Sequence, residues 1–235
     1  MRLEATRLTV AEVSPALAGE MLALMQTYYD GVVPEVFAAD LRTKHWVIVL
    51  REQGVLRGFS TQVCSVMQVD GTPVRILFSG DTIIAPHCWG SLALPVAFGQ
   101  LTLDLQRGGT TEPPLYWLLT SKGYKTYRYL PVFYRNFYPR YDRPTPIREQ
   151  QIIDTAALAR FGARYDPACS CLRAAPNAQC LRPGVADLEA HRLANPDIAF
   201  FQRANPNHAR GDELVCLASL ARDNLTPFIL RYLPG

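Results

Sequence analysis

The sequence lacks a long hydrophobic run, an apolar leader and a large net charge. No stretch approaches the roughly 18 consecutive apolar residues that a membrane-spanning helix needs, so we expect no membrane span. Residues 1–7 contain an acid and no apolar core, which argues against a signal peptide and favours a cytoplasmic protein with reduced thiols. The net charge of +3 does not by itself indicate a nucleic-acid partner.

The composition is that of a folded chain. Hydrophobic residues make up 49% and charged residues 19% of the 235 residues, which excludes a disordered protein. There is no internal repeat, and the length fits one generous domain or one domain with an extension. Because the composition changes after residues 144–146, we predict a core of residues 1–150 and a mainly helical C-terminal extension of residues 151–235, with one helix near 184–194.

Apolar spacing and turn signals predict the order of the structural elements. They indicate helices at 14–30 and 34–43, an antiparallel meander at 45–86, a helix at 90–107 and a buried strand at 115–120. Ser14 and Pro15 mark the start of the first helix, and Asp70-Gly71 marks a hairpin within the meander. A helix that joins a long strand to a later buried strand makes a right-handed crossover, which is typical of a parallel strand pair. The predicted fold class is therefore α/β, with a mixed, mostly antiparallel sheet and flanking helices.

The loop between the long strand and the next helix carries the most informative residues. A turn with His87, Gly90 and Ser91 leads into a helix, whose free N–H groups favour a phosphate or another anion. An ordinary strand-to-helix loop is the alternative interpretation. Cys88 beside His87 also fits a nucleophile, although adjacent residues in a strand point in opposite directions.

This turn and the elements around it resemble the GNAT superfamily of acyltransferases over roughly residues 10–140. In that family a long fourth strand is followed by a pyrophosphate-binding turn of pattern Arg/Gln-x-x-Gly-x-Gly/Ala, a helix and a fifth strand. Here residues 87–92 read HCWGSL, in which Gly90 matches the central glycine. The resemblance implies a GNAT-like fold in which the arm of acyl-CoA or acyl-phosphopantetheine lies between the two splayed strands.

Two positions of the turn depart from the family pattern. His87 stands where the family has Arg or Gln, and Leu92 stands where it has a small residue. The changes remove a hydrogen-bond donor and crowd the pyrophosphate loop. They favour a donor without the nucleotide, such as an acyl carrier protein, or a GNAT-like binding or regulatory protein that has lost catalysis. The activity that the resemblance implies is acyl transfer from a thioester to a small-molecule amine.

Amide formation from a thioester needs a base for the amine and a proton donor for the leaving sulfur. Asp81, near the end of the long strand, is the expected base, and His87 is the second choice because a histidine titrates near neutral pH. Tyr134 is the expected proton donor, with Tyr127 behind it. The alternative for each is an ordinary loop or core residue.

The donor-binding residues that the resemblance implies lie at the strand end, in the turn and in the aromatic segment beyond. They are Ile83, Ile84, Trp89, Gly90, Ser91, Arg128 and Arg135.

Residues 122–148 interleave seven basic residues and one acid with aromatic residues. Three interpretations remain open for this basic segment. It could bind an acidic carrier protein or a cofactor phosphate, it could stack the bases of single-stranded nucleic acid, or its aromatic residues could pack in the core while the cations reach solvent. A nucleic-acid partner is the weakest of the three.

Metal binding is not expected. A zinc site is a weaker alternative at a group of cysteines and one histidine: Cys169, Cys171, Cys180 and His191. The Cys-x-Cys spacing is not that of a usual zinc knuckle, and reduced thiols beneath a loop are the preferred interpretation.

Overall fold

The computed structural model describes residues 3–107, 112–175, 179–182, 184–185 and 190–234. The strands are β1 (Glu4–Thr9), β2 (Tyr29–Asp30), β3 (Trp46–Glu52), β4 (Val55–Val69), β5 (Thr72–Ile84), β6 (Leu115–Ser121), β7 (Phe137–Tyr138), β8 (Tyr165–Asp166), β9 (Cys171–Leu172), β10 (Cys180–Leu181) and β11 (Glu213–Ser219). The helices are α1 (Pro15–Tyr28), α2 (Pro34–Arg42), α3 (Ala93–Leu105), α4 (Tyr124–Tyr127), α5 (Tyr129–Phe133), α6 (Ile147–Phe161), α7 (Pro196–Ala204) and α8 (Pro227–Leu230). None of these helices is both long and apolar enough to cross a bilayer.

One large sheet organises the fold. Its strand order is β1-β3-β4-β5-β6-β11-β9-β8, with β7 beside β11, and β2 pairs separately with β10. Among the described pairs, β5 and β6 are parallel and the others are antiparallel. A parallel pair needs a crossover connection, which α3 provides. The predicted α/β class with a mixed, mostly antiparallel sheet and flanking helices is confirmed.

The two faces of the sheet carry different helices. On one face α3, α5, α7 and α8 pack against β5, β6 and β11 through residues such as Phe98, Trp117 and Phe201. On the other face α1 and α2 cover β3 and β4, while α6 covers β5, β6 and β11. On this second face, α1 and α2 form one apolar cluster with the sheet and α6 forms another, and a cleft lies between the two clusters.

Local signals explain where the helices begin. Ser14 caps α1 by accepting a hydrogen bond from the Leu17 N–H at 3.1 Å, and Pro15 follows at the first helical position, as the sequence predicted. The helix predicted from Gly90 begins instead at Ala93. Gly90 has a φ of +89°, a left-handed conformation that a right-handed helix cannot include. The strand β1 was not predicted, because its residues are mostly exposed and show no apolar alternation.

The last third of the chain contributes to the same sheet. Helix α6 spans the predicted boundary at residues 150 and 151, and β11 pairs with β6. The division into two domains remains a prediction, and β11 of the predicted extension lies in the same sheet as β6 of the predicted core. Of the helix predicted near 184–194, residues 186–189 lie outside the described part, and residues 190–194 form a 3-10 turn.

Two glycines provide a matched test of this packing. A Cβ at Gly58 in β4 would lie 2.6 Å from the Ile83 carbonyl oxygen, whereas a Cβ at Gly19 in α1 would meet nothing within 4 Å. We expect Gly58→Ala to lower the free energy of unfolding by about 1–3 kcal/mol, because backbone must move. We expect Gly19→Ala to raise it by about 0.5–1 kcal/mol. Urea unfolding of both variants checks this, and equal stability of the two would contradict the packing described for β4 and β5.

Candidate functional site

The site begins where β5 and β6 separate. The two strands pair from Arg75 and Leu115 to Ser79 and Leu119, and beyond that point β5 continues to Ile84 beside β4 alone. The edge of β5 that faces away from β4 therefore has no strand partner along its last residues in the described sheet. Open strand edges bind extended ligands through backbone hydrogen bonds.

A β-bulge lies at the same point of β5. Ser60 faces Thr82 while Gln62 faces Ser79, so β5 holds one extra residue at Gly80 and Asp81. A Cβ at Gly80 would lie 2.7 Å from Thr61 Oγ1 and 2.9 Å from Lys44 Cε, so the absence of a side chain leaves room for Lys44 to pack over the strand here. The bulge thus brings Asp81 and Lys44 to the same cavity.

The charged cavity is the space of about 670 Å³ between the α1–α2 pair and α6, and Asp81 lines it. Two of its lysines have acidic partners: Lys44 Nζ lies 2.6 Å from Asp40 Oδ1, and Lys122 Nζ lies 3.5 Å from Glu213 Oε1. The other charged groups in its lining are Arg160 and Arg164 of the α6 side.

Asp81 has an unusual pKa in this setting. Burial, the largest cause, and the negative charges of Asp40 and Glu213 together raise the pKa of the Asp81 carboxyl to about 6, although Lys122 and Lys44 oppose the shift. A carboxylate that titrates near neutral pH can accept and release a proton under working conditions. Asp81 therefore has the properties of a general base.

The strand-end groove is a second space, of about 100 Å³, that follows β5 toward the turn. Thr82, Ile83, Ile84 and Trp89 line one side of it, and Tyr129 lines the other. The Trp89 indole N–H donates to the Ile84 carbonyl at 2.9 Å. The Lys125 ammonium lies 3.0 Å from the centroid of the Trp89 ring, so a cation–π contact joins the turn to α4.

The apolar cavity is a third space, of about 40 Å³, between the sheet and α3. Its walls come from the sheet, α3, α5 and the C-terminal residues, including Phe98, Trp117, Tyr134 and Leu233. The Trp117 indole N–H donates to Ser79 Oγ at 2.9 Å, which satisfies both polar groups.

The three spaces meet at one point. Thr82 of β5 and Thr126 of α4 line the charged cavity, the strand-end groove and the apolar cavity. Thr82 Oγ1 is hydrogen-bonded to Ser60 Oγ at 2.7 Å, which fixes its position. We call this meeting point the junction; it lies in the gap between β5 and β6, next to Asp81 in the chain.

Four of the residues predicted from the sequence lie around this junction. Asp81 lines the charged cavity, and Ile83, Ile84 and Trp89 line the strand-end groove. Tyr134 lines the apolar cavity, and burial raises the pKa of its hydroxyl. Tyr127 is fully buried and donates from its hydroxyl to the Pro139 carbonyl at 3.0 Å.

The turn residues have a different environment. His87 is exposed, and its Nε2 lies 3.7 Å from Glu52 Oε2 rather than in one of the three spaces. Ser91 Oγ accepts from the Ala93 N–H at 3.2 Å, and Pro95 has no N–H, so two of the first three positions of α3 offer no free donor. The start of α3 is thus poorly equipped to bind a pyrophosphate.

The structure does not bring Arg128 and Arg135 to the three spaces. The Nε of Arg128 is buried without a hydrogen-bond partner among the described residues. Its charge acts on Asp197 of α7, where it opposes the burial that raises the pKa of that carboxyl. Arg135 Nε donates to the Leu225 carbonyl at 3.0 Å.

The basic segment presents few aromatic faces. Its aromatic side chains are largely buried, namely those of Tyr124, Tyr127, Phe133, Tyr134 and Phe137. Arg140 pairs with Asp142 and stacks on Phe137, and Lys122 pairs with Glu213. Stacking of single-stranded bases needs exposed rings, and Tyr141 is the exposed ring of this segment, so the burial favours the interpretation that its aromatic residues pack in the core.

The cysteines have surroundings that favour neither a nucleophile nor a zinc site. Burial raises the pKa of the Cys88 thiol, which disfavours the thiolate that a nucleophile needs. Among the described residues, the cysteines and His191 considered for zinc do not group their ligand atoms within 4.8 Å. Glu52, His87 and Cys88 do so, but Arg57 Nε lies 3.4 Å from the Glu52 carboxylate and competes with a cation.

Several residues at the site were not predicted, notably Lys44, Thr82, Thr126 and Tyr129. Thr126 and Tyr129 lie in the basic segment that the sequence singled out, but only the folded helices show which of its residues face the gap. Lys44 gave no local signal, because its place in the cavity depends on packing beside Gly80, which is distant in the sequence.

No protein-family model and no curated protein sequence matches this chain. Among solved structures, the chain is similar to a conserved Enterococcus faecalis protein described as a probable N-acyltransferase, with 13% identity and a TM-score of 0.43 over 58% of this chain and 33% of that one. For a structure from Desulfovibrio desulfuricans described as a GNAT-family acetyltransferase, the identity is 12%, the TM-score 0.34 and the coverage 51% and 73%. For Saccharomyces cerevisiae N-myristoyltransferase with bound myristoyl-CoA, these values are 13%, 0.40, 52% and 30%.

The chain spans about a third of the Enterococcus faecalis protein. The GNAT-like fold that the sequence implied is confirmed by this chain's own topology, in which α3 connects a long strand to a parallel neighbour and the two strands then separate.

The raised pKa of Asp81 has a consequence for stability. The folded protein holds this proton up to a pH of about 6, whereas an unfolded aspartate releases it near pH 4, so the associated stability is lost as the pH rises through about 6. We expect Asp81→Asn to raise the melting temperature at pH 7.5 by roughly 2–4 °C, the effect of about 1 kcal/mol in a domain of this size. At pH 4 we expect little change.

Thermal unfolding across this pH range checks the expectation. Asp70→Asn in the exposed β4–β5 turn is the matched control, for which no pH-dependent difference is expected. A destabilised Asp81→Asn variant at pH 7.5 would contradict the environment described for Asp81.

Proposed function

We propose that this protein transfers an acyl group from a pantetheine thioester to an amine bound in the charged cavity, with Asp81 as the general base. The observation that carries the proposal is the junction, where a narrow groove, an apolar cavity and a charged cavity meet beside Asp81. A thioester donor has an elongated arm, an apolar acyl end and a reactive carbonyl between them. Those parts correspond to the groove, the apolar cavity and the junction.

The donor arm suits the strand-end groove. The unpaired edge of β5 offers backbone groups to the amides of pantetheine, and the Ile83 and Ile84 segment with Trp89 provides an apolar wall. The thioester carbonyl then lies at the junction, where the hydroxyls of Thr82 and Thr126 are hydrogen-bonding groups for the developing oxyanion.

Two molecules carry this arm, acyl-CoA and an acylated carrier protein. The occupied first turn of α3 favours the carrier protein, since a free pyrophosphate site is not required for it. Either donor presents the same thioester to Asp81, so the chemistry below is common to both.

The reaction proceeds by direct transfer. Asp81, ionised above a pH of about 6, accepts the proton of the attacking amine as the carbon–nitrogen bond forms. The tetrahedral intermediate then breaks its carbon–sulfur bond, and the thiolate takes a proton as it leaves. The products are an amide and the free thiol of the donor.

Tyr129 is the proton donor that the geometry favours. It lines both the groove and the apolar cavity, whereas Tyr134 lines only the apolar cavity. Burial raises the pKa of the Tyr129 hydroxyl to about 12, so it carries its proton at working pH. We therefore assign this role to Tyr129 in place of Tyr134.

The base is tested by the pH profile of thiol release, with acyl-CoA and an acylated carrier protein as donors and a panel of small amines as acceptors. We expect kcat/KM of the wild type, calculated on the concentration of the neutral amine, to rise about tenfold per pH unit below 6 and then level off, because Asp81 must be ionised. Asp81→Asn should lose about 10²–10⁴-fold in turnover, lose this pH dependence and still bind the donor.

Asp70→Asn is again the control and should keep wild-type turnover. Unchanged turnover in Asp81→Asn would remove Asp81 as the base. Donor binding without turnover in the wild type would instead identify a GNAT-like binding protein.

The choice between the two tyrosines is tested separately. We expect Tyr129→Phe to lower kcat about 10–100-fold with little change in the donor Kd, because the leaving sulfur loses its proton source. Tyr134→Phe, which removes a hydroxyl from the same cavity wall, should stay within about threefold of the wild type. Steady-state kinetics and donor titration measure both, and the opposite ranking would restore Tyr134 as the proton donor.

A further inference from the structure

The lining of the apolar cavity favours an apolar occupant over a polar one. Four of its polar lining groups are hydrogen-bonded in pairs: Ser60 Oγ with Thr82 Oγ1 at 2.7 Å, and Ser79 Oγ with the Trp117 indole N–H at 2.9 Å. Apart from Thr126 at the junction, the other lining residues are aliphatic or aromatic and largely buried. Cavities of this kind exclude water and accept apolar groups.

The cavity is reached from the junction. It shares Thr82, Thr126 and Tyr129 with the strand-end groove, so a chain attached to a thioester in the groove enters it directly. We infer that the apolar cavity is the site for a short acyl chain and that Leu233 determines the length of that chain. This inference rests on the proposed function and adds the substrate class.

Leu233 lines the cavity beside Gly99 of α3, on the side toward the start of β5. The end of α3 lies beside the start of β5, since Arg75 Nη1 donates to the Leu105 carbonyl at 2.7 Å. Helix α3 therefore runs back from the end of β5, and Gly99 lies farther along it from the junction than Leu94. A Cβ at Gly99 would lie 2.7 Å from Leu233 Cδ2 and 3.0 Å from Cδ1, which shows that the leucine packs on the helix backbone. The leucine side chain is buried and lines the cavity.

The size of the cavity sets the expected chain length. One water molecule requires about 10–15 Å³ of cavity volume. The apolar cavity of about 40 Å³ therefore holds about three or four non-hydrogen atoms. An acyl chain of about four carbons therefore fits. Replacement of Leu233 by Ala removes about three carbon atoms from the Gly99 side of the cavity and lengthens it accordingly.

The experiment measures Kd for S-acyl pantetheines of increasing chain length, with pantetheine itself as the reference. This probe carries the arm common to both donors and no nucleotide. For the wild type we expect the tightest binding near butyryl, at least about tenfold tighter than pantetheine, and weaker binding of octanoyl and longer chains. For Leu233→Ala we expect the optimum to move to chains about two to four carbons longer.

Tyr232→Ala is the matched control. The Tyr232 side chain is next to Leu233 in the sequence but is exposed and does not line this cavity, so the optimum should remain at butyryl. Leu233→Val provides a milder variant in case the alanine variant is poorly folded, and it should shift the optimum by about one carbon.

The outcomes separate this inference from the proposed function. A chain-length optimum that follows residue 233 supports the inference even if no amine is acylated, in which case the proposed transfer fails alone. A wild-type Kd that is independent of chain length overturns the inference, and the proposed function then still stands if thiol release is observed. Failure to bind any acyl pantetheine, or an equal change for pantetheine itself in Leu233→Ala, also overturns it.

Discussion

Paired parallel strands can separate only where their backbone N–H and C=O groups find other hydrogen-bond partners or solvent. Strands β5 and β6 separate after Ser79 and Leu119. The extra residue of β5 at Gly80 and Asp81 follows at once and keeps β5 paired with β4 while it leaves β6. The gap that results is the junction on which the groove and both cavities converge. Without the separation, the sheet would be continuous there and Asp81 would face a neighbouring strand.

The charge balance around Asp81 depends on the same feature. Lys44 reaches across Gly80 but is already paired with Asp40, and Lys122 is paired with Glu213. Neither cation is therefore committed to Asp81, and burial keeps the pKa of its carboxyl well above the ordinary range. A dedicated cation at this position would stabilise the carboxylate and reduce its strength as a base.

Local patterns were sufficient for much of the fold and for part of the site. Ser14 and Pro15 marked the first helix, the Asp70-Gly71 turn marked the hairpin, and the end of the long strand indicated Asp81. The cavities were not predictable in this way, because each is formed by segments far apart in sequence. Arg128 and Arg135 show the limit: the short helices that bury Leu130 and Phe133 turn these arginines toward the α7 and α8 side.

The pairing of β6 with β11 joins residues that are far apart in the chain, as with Ser121 and Leu214. Until β11 has been synthesised, β6 is an exposed strand edge and the cavity walls formed by Leu225, Ile229 and Leu233 do not exist. The apolar residues of β6 and α3 are then open to solvent. The nascent chain therefore passes through a stage prone to aggregation, and the space that we assign to the acyl group forms only after β11 and the residues that follow it are in place.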